Sequence, residues 1–217
     1  MTQSWKLLAS WLVIGGAIAF SGNNTLAQLT PDTTLGSENS TVTSTGAVDS
    51  INGGATRGTN LFHSFEEFNV EEGRAAYFNN PAGIENILSR ITGANPSNIF
   101  GTLGVVGGNA NLFLINPNGI IFGANARLDV GGSFVGTTAN AIGFGNQGFF
   151  SATNPSNPSL LTVNPSALLF NQIRAASIKN NSVVDTGLDP SFESTVAGLR
   201  VSDGKSLLLV GGDINMD

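Results

Sequence analysis

Two stretches of the chain repeat one another at a short interval. Residues 95–101 read NPSNIFG, and residues 116–123 read NPNGIIFG. An interval of roughly 20 residues suits one coil of three short strands, and a coil that cannot bury its own apolar face must stack on its neighbours. The repeat therefore favours a β-solenoid, in which each strand pairs with its equivalent in the next coil. The alternative, a β-sandwich, predicts a more regular alternation of polar and apolar residues than this chain shows.

Asparagine–proline pairs, which commonly initiate turns, divide the chain into short apolar segments. Six of the eight prolines follow Asn: Pro81, Pro96, Pro117, Pro155, Pro158 and Pro165. Segments with the length and composition of strands lie at 111–115, 120–122, 133–135 and 207–210. The apolar residues of 84–91 have helical spacing, which allows one helix, although the same segment fits a buried strand. The pattern predicts an all-β protein.

The charged and sulfur-containing residues exclude several kinds of chemistry. The chain has no cysteine and one histidine, which rules out disulfides, thiolate nucleophiles and zinc sites of ordinary composition. Nine basic residues against 15 acidic ones provide no basic patch for nucleic acid. Only 11% of the residues are charged while 28 are glycine, and glycine suits the tight corners of a solenoid.

The N-terminus has the organisation of a cleavable signal peptide. Lys6 precedes the apolar run 7–20, and the small-residue ending Thr25-Leu26-Ala27 follows. A run of this length is shorter than a bilayer-spanning helix needs, although a membrane anchor and a buried core helix are alternatives. We therefore expect residues 1–27 to be removed. The mature protein would comprise residues 28–217, with eight basic and 15 acidic residues and a net charge of −7.

Three stretches carry a resemblance to a known family. They are SRITGANPS at 89–97, the segment 107–112 and INPNGI at 115–120. Together they resemble the N-terminal secretion domain of the filamentous haemagglutinin family of two-partner secretion exoproteins, over about residues 44–217. Residues 120–138 resemble the version common in cyanobacteria.

The resemblance implies a fold, a route and a partner. The fold is a right-handed parallel β-helix with N-terminal capping strands and extra-helical hairpins. The protein would cross the inner membrane by the general secretory machinery, pass through the periplasm, and be secreted or stay associated with the cell surface. Its partner would be the POTRA domains of a cognate outer-membrane β-barrel transporter. The open strand-and-turn ending at 211–217 leads us to expect the front of a longer exoprotein.

The same resemblance points to a secretion motif at Asn116, Pro117, Asn118, Gly119 and Ile120. Turn chemistry alone makes this segment a solenoid corner, with Pro117 presetting φ, Asn118 bonding its own backbone and Gly119 at positive φ. On that view Ile115 and Ile120 fill the interior. The resemblance adds that the turn serves recognition or secretion-competent folding, and both roles can hold together.

A second motif of the family, Asn-Pro-Asn-Leu, is degenerate in this chain. The corresponding residues read Asn80-Pro81-Ala82-Gly83. Asn80 and Pro81 can still form a turn, but the missing Asn and Leu leave a direct contact with the transporter in doubt.

A glycine-rich segment and the single histidine are both better explained by structural roles than by catalysis or cofactor binding. Residues 143–148 match the dinucleotide-binding spacing GxGxxG, but they run into Phe149 and several Asn-Pro pairs rather than into a helix. A serine hydrolase triad around His63 would require a nucleophile elbow, which this chain lacks, so we expect a surface or capping histidine.

The charged clusters also favour surface roles. Four carboxylates lie in a predicted hairpin with its turn at Gly73 and should be solvated: Glu66, Glu67, Glu71 and Glu72. Paired carboxylates that cleave glycosidic bonds must face each other across a cleft, which neighbours near a turn do not do. Arg127 and Asp129 lie two positions apart, on one face of a strand, where a surface pair is the default.

Three classes of function remain. The first is a secretion-targeting and folding-nucleating domain, whose strands pair with a transporter domain by β-augmentation. The second is an adhesin that binds carbohydrate or cell surfaces, but Trp5 and Trp11 lie in the leader and only Tyr77 remains as a polar aromatic platform. The third is a polysaccharide-active β-helix enzyme. We favour the first class, with no catalytic activity, cofactor, metal, small-molecule substrate or nucleic-acid partner.

Overall fold

A computed structural model describes residues 29–158, 160–189 and 194–216. The predicted signal peptide lies outside the described residues. One short 3-10 helix, Gly36–Glu38, accompanies the strands, and no helix in the described part of the chain has the length and apolarity that crossing a bilayer requires. The strands are β1 (Leu29–Pro31), β2 (Ser40–Thr45), β3 (Val48–Gly53), β4 (Ala55–Arg57), β5 (Asn60–Phe68), β6 (Ala75–Asn79), β7 (Asn86–Ile91), β8 (Ser97–Ile99), β9 (Thr102–Val106), β10 (Asn111–Ile115), β11 (Ile120–Phe122), β12 (Arg127–Asp129), β13 (Phe134–Thr137), β14 (Ala141–Gly143), β15 (Phe149–Ser151), β16 (Ala167–Leu169), β17 (Ile178–Asn180), β18 (Asp185–Asp189), β19 (Ser194–Ala197), β20 (Leu207–Val210) and β21 (Ile214–Met216).

Three sheets form the faces of a parallel β-solenoid of about three turns. Sheet I has the strand order β1-β5-β7-β10-β13-β20 with β4 beside β5, sheet II has β21-β17-β11-β8, and sheet III has β12-β9-β6-β3-β2. The chain visits sheets I, II and III in turn, first with β7, β8 and β9 and then with β10, β11 and β12. Pairing between coils is parallel, which confirms the predicted solenoid and rules out the sandwich.

The strand register differs by one position from the sequence repeat. The repeat aligns Ile99 with Ile121, because each precedes a Phe-Gly pair. In sheet II, however, Ile99 pairs with Phe122, and Asn98 pairs with Ile121. This register places the two buried side chains, Ile99 and Phe122, side by side in the interior. The spacing between paired residues of successive coils is therefore slightly longer than the interval of the sequence repeat, because equivalent corners of the two coils hold loops of unequal length.

Strands β1, β2 and β4 are the predicted capping strands. They pair antiparallel with β5, β3 and β5 respectively, at the end of the stack where the first coil begins. The predicted extra-helical hairpins are also present. One lies in the insertion (residues 138–177), where β14 pairs antiparallel with β15 and β16, and the other joins β18 and β19. Residues 143–148 span the β14–β15 turn, not the start of a helix.

Sheet I has an apolar core on each of its faces. Leu112 and Leu114 of β10 lie in the interior core, which runs the length of the solenoid. Phe113 and Ile115 point outward into a second core, formed with the insertion. The expectation that Ile115 fills the interior is therefore wrong, because alternation along β10 places it on the outer face. Both cores stabilise the same sheet.

The segment with helical spacing is strand β7. All six of its residues are buried, and it pairs with β5 on one side and β10 on the other. Ile87 and Ile91 belong to the interior core and Leu88 to the outer core. The helical alternative is wrong, because a strand buried on both faces loses the alternation that would distinguish it from a helix.

The predicted hairpin around Gly73 is also wrong. Strand β5 lies in sheet I, whereas β6 lies in sheet III and pairs in parallel with β3 and β9. Gly73 has φ of +74° and turns a solenoid corner rather than a hairpin. The carboxylates of Glu66, Glu71 and Glu72 are exposed as expected, and Glu67 is half-buried.

The expectation for His63 was a surface or capping histidine, and the surface alternative is wrong because His63 lies inside the solenoid. It is fully buried between Phe65 and Phe78, and its Nδ1 lies 3.0 Å from Ser40 Oγ of the capping strand β2. Its Nε2 has no hydrogen-bond partner among the described residues. Burial lowers the pKa of His63 to about 3, because a charged imidazole would lose its hydration there.

The buried histidine makes stability depend on pH. Since the unfolded histidine titrates near pH 6.5 and the folded one near 3, the unfolded state binds more protons between these values, and stability falls as the pH drops below about 6.5. We expect a loss of about 2 kcal/mol in the free energy of unfolding between pH 7 and 5. Urea unfolding at several pH values measures it, and His63→Gln should flatten the dependence. Parallel pH profiles for the two proteins would contradict this assignment.

Candidate functional site

The candidate motif forms the corner between β10 of sheet I and β11 of sheet II. Gly119 N donates to Asn116 O at 3.1 Å, which closes a four-residue turn with Pro117 and Asn118 in its central positions. Asn118 N donates to Asn116 Oδ1 at 2.9 Å, so the side chain of Asn116 mimics a further turn of backbone. The predicted corner is present.

Asn116 ties this corner to the preceding coil. Its side chain is fully buried, and Nδ2 donates to Asn95 O and to Ser97 Oγ, both at 3.0 Å. Its backbone N–H donates to Thr137 O in the following coil at 2.9 Å. The residue thus satisfies backbone groups of three successive coils, which is a structural role.

Asn118 has a different environment from the one expected. It is exposed, and its Nδ2 donates to Gly93 O of the preceding coil at 2.8 Å rather than to its own backbone. The local side-chain bond that sequence reasoning assigned to Asn118 is made by Asn116 instead. Among residues 116–120 Asn118 alone has an exposed side chain.

Gly119 and Ile120 complete the corner from inside. Gly119 has φ of +119°, a conformation strained for any residue with a Cβ, and an added Cβ would lie 3.2 Å from Ser177 O of the next coil. Ile120 is fully buried in the interior core, as expected. A side chain at position 119 would therefore force neighbouring coils apart.

The degenerate motif lies at another corner, between β6 of sheet III and β7 of sheet I. Ile84 N donates to Pro81 O at 3.3 Å, so a turn forms there as expected, and Pro81 is exposed. Asn80 N donates to Val106 O at 2.8 Å. Gly107 adjoins this turn, since a Cβ on it would lie 2.8 Å from Asn80 O. The structure does not bring the two motifs together.

A surface depression of about 510 Å³ lies beside Asn118. One wall is the preceding corner, and the other is the insertion; its lining residues include Thr92, Gly93, Pro117, Asn118, Thr153 and Gln172. None of the described residues that line it is charged. A partner segment that contacts Asn118 would lie against these uncharged groups.

The remaining candidates are surface contacts. Asp129 Oδ2 accepts a hydrogen bond from Tyr77 Oη at 2.9 Å, and Arg127 donates to the backbone oxygen of Asp185 at 3.0 Å. Both side chains are exposed, as expected, but they bind different partners, so the expected surface pair between them does not form. Among the described residues, no group of three or more His, Asp or Glu side chains is arranged to hold a metal ion.

Sequence reasoning missed a ladder of three asparagines at the start of neighbouring strands of sheet I. Asn86 Nδ2 donates to Asn60 Oδ1, and Asn111 Nδ2 donates to Asn86 Oδ1, both at 3.0 Å. Each asparagine is followed by Leu or Ile, and the two intervals along the chain are nearly equal. This recurrence of Asn followed by Leu or Ile could have predicted which strands of sheet I pair with one another, and in which register.

Comparison with known proteins identifies the family. The family model of the TPS secretion domain matches residues 27–217. The chain belongs to the TPS secretion domain family. The crystal structure of a filamentous hemagglutinin secretion domain is similar to this TPS secretion domain, with a TM-score of 0.51 and 16% identity, over 87% of this chain and 78% of that chain. At that identity the likeness shows the fold alone, and no curated protein matches the chain.

Membership of this family has three consequences. A TPS secretion domain has a role in two-partner secretion, which implies an outer-membrane transporter as partner. It also implies that the protein is exported and secreted. The family is one of secretion domains and not of enzymes.

The contacts of the two corner asparagines predict unequal effects on stability. Asn116→Ala leaves Ser97 Oγ without its partner in a buried site and two backbone groups without theirs in partly buried sites, which should cost about 2–3 kcal/mol. Asn118→Ala removes an exposed hydrogen bond to Gly93 O and a longer one to Asn116 Oδ1, and should cost about 1 kcal/mol or less. Denaturant midpoints of the purified variants measure both. An equal loss for the two would contradict the assignment of the structural role to Asn116.

Proposed function

We propose that this TPS secretion domain targets an exoprotein to its transporter and nucleates its folding, through recognition by the POTRA domains of an outer-membrane β-barrel. The observation that carries the proposal is the exposed Asn118 on a turn whose neighbour Asn116 is buried. The corner needs Asn116 for its geometry, whereas the Asn118 side chain is exposed. We assign the contact with the transporter to Asn118 and the depression beside it.

The proposed nucleating role rests on the last described coil. Ile178 of β17 is fully buried, whereas Ile214, its partner in β21, is 40% exposed. Leu207 pairs in the same way with the buried Phe134 and is 36% exposed. These interior-facing side chains offer an apolar end on which a further coil can stack, and strands added there would extend sheets I and II.

We assign the degenerate motif, Asn80 and Pro81, a structural role at its corner and no role in recognition. Pro81 is exposed, but Asn80 is half-buried against Gly107 and lies at a different corner from Asn118. The depression beside Asn118 includes neither Asn80 nor Pro81 in its lining. We therefore assign recognition to the corner at 116–120 alone.

Export would begin with cleavage of the leader. Strand β1 begins at Leu29, so cleavage after Ala27 leaves the first strand intact. We expect exported protein to begin at Gln28, because Thr25 and Ala27 offer the small side chains that signal peptidase accepts. N-terminal sequencing of secreted material tests this, and a sequence starting at Met1 would contradict export by cleavage.

Secretion of paired asparagine variants tests recognition at the corner. Asn118→Ala should lower the amount secreted through the cognate transporter about tenfold or more, and weaken binding to its purified POTRA domains. The matched control is Asn125→Ala, an exposed asparagine at another corner of the same coil, whose Nδ2 also makes one intercoil bond, to Glu72 Oε1 at 2.6 Å.

The control separates recognition from stability. Both variants should shift the denaturant midpoint by similar small amounts, because each loses one intercoil hydrogen bond at an exposed position. Secretion of Asn125→Ala should stay close to the parent. Equal secretion of the two variants would leave Asn118 as a turn residue without a role in transport.

A further inference from the structure

Arg90 is a fully buried arginine that lies outside the solenoid interior. It belongs to β7, and alternation along that strand places it on the outer face of sheet I, level with Ser64 of β5 and Ile115 of β10. Its guanidinium lies against the ring of Phe150, with Cζ 4.4 Å from the ring centroid. An arginine is almost never buried completely unless its donors are satisfied.

The donors of Arg90 reach three separate parts of the chain. Nε donates to Ser64 Oγ of sheet I at 2.8 Å, and Nη2 donates to Thr34 Oγ1 of the N-terminal segment (residues 32–38) at 2.7 Å. Nη1 donates to the backbone oxygen of Ser151 in the insertion at 3.0 Å. One planar side chain thus joins segments that are far apart in sequence.

Asp32 closes the network from the N-terminal side. Its carboxylate accepts hydrogen bonds from Thr34 Oγ1, Ser64 Oγ and Thr92 Oγ1 at 2.6–2.7 Å. Burial raises the pKa of Asp32, but these hydrogen bonds outweigh it and the pKa is lowered overall. The pKa of Arg90 falls to about 10 through burial, opposed by the charge of Asp32. Both groups are therefore ionised at neutral pH.

The network also reaches the candidate site. Thr92 is bound to Asp32, and the next residue, Gly93, provides the carbonyl that accepts from Asn118 Nδ2. Arg90 does not contact Asn118. Its effect on that corner passes through Ser64, Thr34 and Asp32 to Thr92.

We infer that Arg90 is a positioning residue that latches the N-terminal segment and the insertion onto sheet I together, so that neither segment docks fully without the other. The forked geometry of the guanidinium allows Arg90 to hold both segments, because each of its nitrogens donates to a different part of the chain. If only one segment docked, Arg90 would be partly desolvated without its full set of acceptors, which is costly. This coupling holds whether or not the corner at Asn118 contacts a transporter.

The latch has a consequence for the order of folding. The interior core can form from the coils alone, whereas the outer core needs Leu35 from the N-terminal segment and Phe144 and Phe150 from the insertion. The N-terminal segment therefore docks fully only once the chain beyond residue 151 has arrived. Its docking then aligns Thr92 and Gly93 beneath Asn118.

The N-terminal segment and the insertion are also joined by contacts of Asn157 that do not involve Arg90, and we call these contacts the parallel link. Asn157 Nδ2 donates to Leu35 O at 2.9 Å, so the two segments also touch directly. Arg57 of β4 links them as well, because it donates both to Asn157 Oδ1 and to Glu38. Coupling through this route would not involve Arg90. The test must therefore distinguish the two routes.

Hydrogen exchange in a double-mutant cycle makes this distinction. Thr34→Val removes one acceptor of Arg90 without touching the insertion. It should speed exchange of the amides of the β14–β15 hairpin about tenfold and leave those of β10 unchanged. In an Arg90→Met background the same substitution should change hairpin exchange less than twofold.

Two further variants complete the design. Arg90→Lys keeps the charge but not the fork, so it should behave like Arg90→Met, and it replaces that variant if Arg90→Met does not fold. Asn157→Ala breaks the parallel link and should leave the effect of Thr34→Val in place. An effect of Thr34→Val that persists in the Arg90→Met or Arg90→Lys background, or no effect on the hairpin at all, would overturn the latch.

Discussion

Main-chain pairing between successive coils is the interaction on which the rest of this structure depends. Short strands such as β8 and β7 bury an interior only because each lies on its equivalent in the next coil. The corners must then keep neighbouring coils in step. With 11% charged residues, the chain uses uncharged amides for this task. Asn116 bonds the coils on both sides of it, and the ladder from Asn60 to Asn111 does the same for sheet I.

Sheet I differs from the other faces because it is covered on both sides. Its inner residues belong to the solenoid, and its outer residues are covered by the insertion and the N-terminal segment. The two apolar cores are separated by one layer of backbone, so they need not form at the same moment. Arg90 lies where the outer core meets the solenoid corner at Thr92. A charged residue there adds little to net stability but requires specific partners, which favours one arrangement of segments over others.

Patterns that repeat along the chain predicted the architecture well, whereas contacts between distant segments could not be predicted. The echo between 95–101 and 116–123 contains a corner that recurs, and it indicated the solenoid, while the short apolar segments indicated strands β10 and β11. Strand β7 was ambiguous because burial on both faces removes the alternation that marks a strand. The burial of His63 and Arg90 depends on segments, β2 and the insertion, whose placement no local pattern encodes.

The candidate corner shows why one motif can serve both folding and recognition without conflict. The side chain of Asn116 bonds Asn95 O, Ser97 Oγ and the backbone of Asn118, so its replacement changes the corner itself. Asn118 is exposed and contributes one bond to Gly93 and a longer one to Asn116 Oδ1, so its identity is less constrained by stability. The buried contacts of Asn116 fix the position of the exposed Asn118 relative to the preceding coil. A partner that binds Asn118 would therefore detect a correctly stacked corner, because an unstacked coil would not hold Gly93 beneath it.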